Sequence, residues 1–147
     1  MARKVFFSFK YDDVVRAMNV RNSNVISADI KSGFIDKADF ESVARQGDAA
    51  IKKWIDDQMS GTSVTVVLVG ANTDKSRWVK YEIESSIARG NGLLTIDISK
   101  IGDFLGNTTN YCGLTVDGYP HYRWNSDSGR ENMGAWIEKA AKAAGKP

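Results

Sequence analysis

The chain has 147 residues, 42% of them hydrophobic and 26% charged, a balance that suits one domain with its own core and excludes a disordered chain. A net charge of +2 with no clustered basic face gives no footprint for a nucleic-acid partner. One cysteine, Cys112, and one histidine, His121, exclude an internal disulfide and make a poor metal-site inventory, so no metal is expected and a reducing cytoplasm is.

The N-terminal apolar run is interrupted by Ser8 and Lys10, too short for a signal peptide core or a membrane span. The expectation is a cytoplasmic single domain over 1–147, with no membrane partner. The first strand is read over Lys4 to Phe9, rich in β-branched and aromatic residues. A short helix follows Asp12-Asp13 through Val14, Val15 and Met18. A weaker second strand covers Val25 to Ile30, and a helix is expected from Phe40 to Met59, with Val43, Ala50, Ile51, Trp54 and Ile55 at helical spacing. Gly61-Thr62-Ser63 ends that helix, and Val64 to Val69 reads as a strand buried on both faces.

The next helix is expected from Ser76 to Arg89, capped by Asp74 or Ser76, with Val79, Ile83 and Ile87 as its buried stripe. A strand over Leu93 to Ile98, an uncertain one near His121 to Trp124, and a helix from Glu131 to Ala144 complete the chain. Alternating strands and helices predict an α/β fold with right-handed crossovers. Ser99 to Arg130 is the least regular stretch, and long irregular stretches in compact domains are often functional.

In open α/β sheets ligands bind beyond the carboxyl ends of the strands. That rule selects Ser8 to Asp13, Lys31 to Asp36, Gly70 to Trp78 and the chain from Ser99 onward. No glycine-rich dinucleotide fingerprint and no Walker A sequence is present. Cys112 and His121 read as an ordinary buried thiol and a surface imidazole rather than a catalytic couple. Asp12-Asp13 resembles the acidic pair of a receiver domain, but the third strand ends Leu68-Val69-Gly70 without a phosphoacceptor; a helix-start role fits better. Glu82 and Glu84 flank the apolar stripe of their helix equally, Glu82 on the side of Trp78 and Glu84 on the side of Lys80. Periodicity does not choose between them.

Several runs carry a resemblance. Val5-Phe6-Phe7-Ser8-Phe9 is similar to the opening strand of TIR domains, and Ser76-x-Trp78-Val79-x-x-Glu82-Ile83 to their segment with the catalytic glutamate. Val20-Arg21-Asn22-Ser23, Gly47-Asp48-x-Ala50-Ile51-x-x-Trp54-Ile55, the run Gly61 to Gly70 and Arg89-Gly90-Asn91-Gly92 resemble the branch that holds the TIR-like component of the Thoeris anti-phage system. The likeness covers most of residues 3 to 98 and fades after Ser99.

This resemblance implies a flavodoxin-like, TIR-like three-layer sandwich around a mostly parallel five-stranded sheet. It implies NAD⁺ as substrate rather than cofactor, cleavage of the bond between nicotinamide and ribose, and Glu82 as the catalytic residue. It further implies cyclisation of the ADP-ribose product into a signal for a partner effector. Ser8, Phe9, Tyr11, Arg21, Asn22, Ser76 and Trp78 are the expected substrate-binding residues, each with a plainer role as core, loop, cap or packing residue beside it. A homo-oligomer and a phage-derived trigger belong to the same expectation. Lys31 to Asp36 matches the loop after the second strand that TIR domains use in assembly and substrate access, and it lacks the proline of many signalling TIR loops. Three other readings stand beside this one: a non-enzymatic self-association or adaptor module, a receiver-like or nucleotide-binding signalling domain, and a nucleoside deoxyribosyltransferase-like enzyme.

Overall fold

The computed structural model describes residues 3–21, 30–32, 43 and 45–147. Five strands, β1 (Arg3–Phe9), β2 (Ile30–Ser32), β3 (Val64–Val69), β4 (Gly92–Asp97) and β5 (His121–Arg123), form one sheet in the order β2-β1-β3-β4-β5. Every pairing among the described residues is parallel, in line with the mostly parallel sheet expected. Both β3 and β4 are buried at all positions, which explains why Val64 to Val69 reads as an unbroken apolar run.

Helices cover both faces. Helix α1 (Val14–Arg21) and helix α4 (Gly129–Ala143) lie on one face, where Ala17 and Val20 meet Val5, Phe7, Val66, Leu68, Met133 and Ile137 in one core cluster. Helix α2 (Asp48–Met59) and helix α3 (Arg77–Ala88) cover the other. There Phe6 packs on Ile51, Ile55 and Met59, and Val67 and Val69 pack on Val79. The alternation of neighbours along each strand is the period-two pleat. The result is the three-layer α/β sandwich expected from the sequence.

One element differs from expectation. The helix expected from Phe40 to Met59 is interrupted: Val43 is helical, the chain turns at Arg45-Gln46, and α2 starts at Asp48 after Gly47, which takes φ 97°. An L-residue resists that backbone geometry, and glycine accepts it. Residues 40–42 and 44 lie outside the described residues, as do Val25 to Asp29 of the expected second strand. The helix ends where expected: Gly61 is left-handed and Thr62 Oγ1 donates to Met59 O at 2.5 Å.

The irregular stretch after Ser99 is pinned to the body by backbone groups. Arg16 Nε donates to Ile101 O and Arg16 Nη2 to Asn107 O, both at 2.8 Å, and Cys112 N donates to Gly70 O at 3.1 Å. His121 is not the surface imidazole expected. It is half-buried in β5, with Thr95 Oγ1 2.7 Å from Nδ1 and Tyr111 Oη 2.9 Å from Nε2. Both ring nitrogens are therefore engaged away from the Cys112 thiol. No described helix is long and apolar enough to cross a membrane.

Candidate active site

A cavity of about 190 Å³ opens beyond the carboxyl end of β1. The end of β1 and the turn after it supply Phe7, Phe9, Lys10, Tyr11 and Asp12; α2 supplies Trp54 and Ile55; α3 and its cap supply Ser76, Trp78 and Glu82. Order 2-1-3-4-5 reverses direction between β1 and β3, the place where open α/β sheets bind ligands.

Glu82 forms the floor and is only 5% exposed. Its burial follows from the register of α3. Ser76 starts the helix by accepting the Val79 N–H at 3.2 Å, and the sheet-facing stripe then runs Val79, Glu82, Ser86. The expected stripe of Val79, Ile83 and Ile87 is thus shifted: Ile87 is 43% exposed. Hydroxyls beneath the helix account for the shift. Ser8 Oγ donates to Glu82 Oε1 at 2.7 Å, Thr65 Oγ1 and Ser86 Oγ lie 2.6 Å apart, and Ser86 Oγ also reaches Glu82 O at 2.7 Å. A polar seam of this kind satisfies groups that hydropathy would place outside. Glu84 faces solvent, so the structure separates two residues that periodicity treated alike.

Burial pushes the Glu82 carboxyl from 4.5 up to about 8, and the Ser8 hydrogen bond works against that by favouring the charged form. A carboxyl so perturbed beside a cavity marks a functional-site candidate. The aromatic wall is braced from behind. Trp78 has the Arg77 guanidinium 4.6 Å from its ring centroid and Tyr81 edge-on at 6.2 Å. Arg77 in turn makes a two-pronged contact with Asp48 at 2.8 and 2.9 Å, and Tyr81 Oη donates to Asp56 Oδ1 at 2.9 Å. These contacts tie α3 to α2 and fix the spacing of the two tryptophans.

The profile of the family described as "Thoeris protein ThsB, TIR-like domain" matches residues 6–103. A Bacillus cereus (strain MSX-D12) protein named "Putative cyclic ADP-D-ribose synthase ThsB1" is 37% identical over 139 residues, 92% of this chain and 72% of that protein. The chain belongs to the ThsB TIR-like family. Every residue that lines the cavity falls inside the matched span. The family profile stops close to where the resemblance fades in the sequence, near Ser99, although the Bacillus relative aligns further.

Within this ThsB-type site the expected residues separate into groups. Phe9, Tyr11, Ser76, Trp78 and Glu82 converge on the cavity. Ser8 is fully buried behind Glu82 and touches its carboxyl instead of lining the space. Arg21 closes α1, its side chain outside the described residues with all of Asn22 and residues 33–36. Asp12 and Asp13 lie in a short 3-10 turn that runs directly into α1, at the helix start expected for them: Asp12 pairs with Lys10, and Asp13 is buried with a hydrogen bond to Thr73. Sequence reasoning missed Lys10, Asp12 and Trp54 as lining residues. Trp54 had a signal, since it sits in a run that resembles the family; Lys10 had only its place after the first strand. None of the stretch after Ser99 lines the cavity.

Proposed function

We propose that this chain cleaves the N-glycosidic bond of NAD⁺, releases nicotinamide and closes the ADP-ribose remainder into a cyclic signal molecule. Family membership and the activity in the name of the Bacillus relative support the reading. The observation that carries it is a buried carboxyl, Glu82, in the lining of an aromatic cavity. Burial of that group costs stability, which a pure adaptor would have no reason to retain.

The chemistry suits one carboxylate. As the C1″–N bond breaks, its electron pair passes to the nicotinamide nitrogen, so the leaving group departs neutral and needs no general acid. Positive oxocarbenium character builds on the ribose, as in glycoside hydrolysis. An ionised Glu82 beside it stabilises that charge, and Ser8 fixes the direction of the carboxylate. The bound nicotinamide ring is itself a cation, and a cation at the carboxylate favours its charged form. Substrate binding thus expels the proton that burial holds on Glu82. A hydroxyl oxygen of the same molecule then attacks C1″ and loses its proton, or an adenine ring nitrogen attacks and the adjoining amino group loses one. Aromatic walls that exclude water favour this closure over hydrolysis.

In this reading NAD⁺ is consumed as substrate, the cyclic product acts on a partner effector, and assembly and a phage-derived trigger control turnover. Purified protein incubated with NAD⁺ and followed by chromatography with mass detection tests it. The expected products are nicotinamide and a species lighter than ADP-ribose by one water. Linear ADP-ribose alone would leave the cleavage and remove the cyclisation.

A further inference from the structure

We propose that Lys10 selects dinucleotides by binding their diphosphate, and that Asp12 holds the lysine until such a ligand displaces it. This rests on the NAD⁺ reading above. The cavity, at about 190 Å³, suits a nicotinamide and its ribose and is smaller than the several hundred Å³ typical of whole-ligand sites. Glu82 is buried within the lining and Asp12 is its exposed member, so the rest of a dinucleotide leaves over the rim on the Asp12 side.

That rim carries Lys10 and Asp12. Their side chains are 30% and 67% exposed, and Lys10 Nζ stands 2.6 Å from Asp12 Oδ2. Among the described residues that line the cavity, Lys10 has the sole cationic group. Its backbone is extended, φ −72° and ψ 136°, directly after the last residue of β1. Lys10 therefore follows Ser8 on the same face of the strand, roughly 7 Å along it. Ser8 is the residue that holds Glu82. The offset is comparable with the span of a ribose from C1″ to its 5″-phosphate.

The partner exchange is easy. An exposed one-to-one ion pair contributes little, whereas a diphosphate offers two negative charges and charge-assisted hydrogen bonds to an ammonium. With no ligand, Asp12 keeps Lys10 at the rim; with a phosphate-free ligand, the pair stays closed and adds nothing to binding. Selection for the diphosphate thus comes from one residue on the rim and is separate from the chemistry at the floor.

The test compares NAD⁺ with nicotinamide riboside, which has the same scissile bond and no phosphate. Dissociation constants come from quenching of tryptophan fluorescence, since Trp54 and Trp78 line the cavity, and nicotinamide release is followed alongside. The ratio of affinities, NAD⁺ over riboside, is expected to fall about tenfold or more in Lys10→Ala, the scale of a charge-assisted hydrogen bond, and to rise several-fold in Asp12→Asn. The opposite signs guard against a variant that simply folds poorly. A ratio unchanged in both variants overturns the Lys10 assignment while leaving the NAD⁺ reading in place. Wild-type protein that neither binds nor cleaves either compound overturns the reading itself.

Discussion

Replacing Glu82 with glutamine is predicted to stabilise the fold while it ends the proposed reaction. Burial raises the Glu82 carboxyl from 4.5 to about 8. Between those values the folded chain keeps a proton that the unfolded chain has lost. The contribution of this residue to stability therefore falls as pH rises through that window, and it is level above about 8. Across the whole window the loss is at most on the order of 5 kcal/mol. Glutamine is neutral throughout, and its amide oxygen can accept the Ser8 hydroxyl that Glu82 accepts at 2.7 Å. Thermal unfolding of wild type and Glu82→Gln at pH 5, 7 and 9 reads the difference directly, because other groups titrate alike in both proteins. The two melting temperatures should nearly coincide at pH 5 and part by roughly 5–15 °C at pH 9, with the variant higher. Glu84→Gln, on the exposed face, should follow wild type at every pH. A Glu82→Gln difference that is flat with pH, or a variant that melts lower at pH 9, would refute the reasoning.

Three further outcomes are expected. Ser8→Ala removes the donor that favours ionised Glu82, so the acid limb of the pH–rate profile should move up by about one pH unit or more; an equal loss at every pH would leave Ser8 as a packing residue only. Trp78→Ala removes a wall ring braced by Arg77 and Tyr81 and should raise KM for NAD⁺ by about tenfold with a smaller effect on kcat. Gly92→Ala places a Cβ 2.5 Å from the Ala140 carbonyl oxygen, which is helix backbone with no side chain to swing away. A loss of about 1–3 kcal/mol in denaturant unfolding should follow.

Much of the fold is legible in residue patterns because parallel strands buried on both faces leave continuous apolar runs. Val64 to Val69 is the clearest case, and its bounds coincide with β3. Short edge strands such as β5 lack that signal. Apolar spacing runs on across Gly47 and so reads as one helix over Phe40 to Met59, whereas the backbone angle of that glycine and the turn before it part Val43 from α2. The site was harder to read. Glu82 and Glu84 are equivalent on a helical projection, and the buried Glu82 carboxyl is held by a hydroxyl of β1, Ser8, separated from it by 74 positions. Resemblance to the family singled out Glu82 where periodicity had no basis for choice, and Glu82 is the one of the two that the fold buries. Lys10 and Asp12 carry no local pattern, since their value lies in where β1 ends.

The central claim is that Glu82 carries the cleavage of NAD⁺. Nicotinamide release should be measured by chromatography for wild type, Glu82→Gln and Glu84→Gln, at low and high protein concentration and with infected-cell lysate added. The account predicts release by wild type and Glu84→Gln, and none by Glu82→Gln in any condition. Release by Glu82→Gln at the wild-type rate would contradict it.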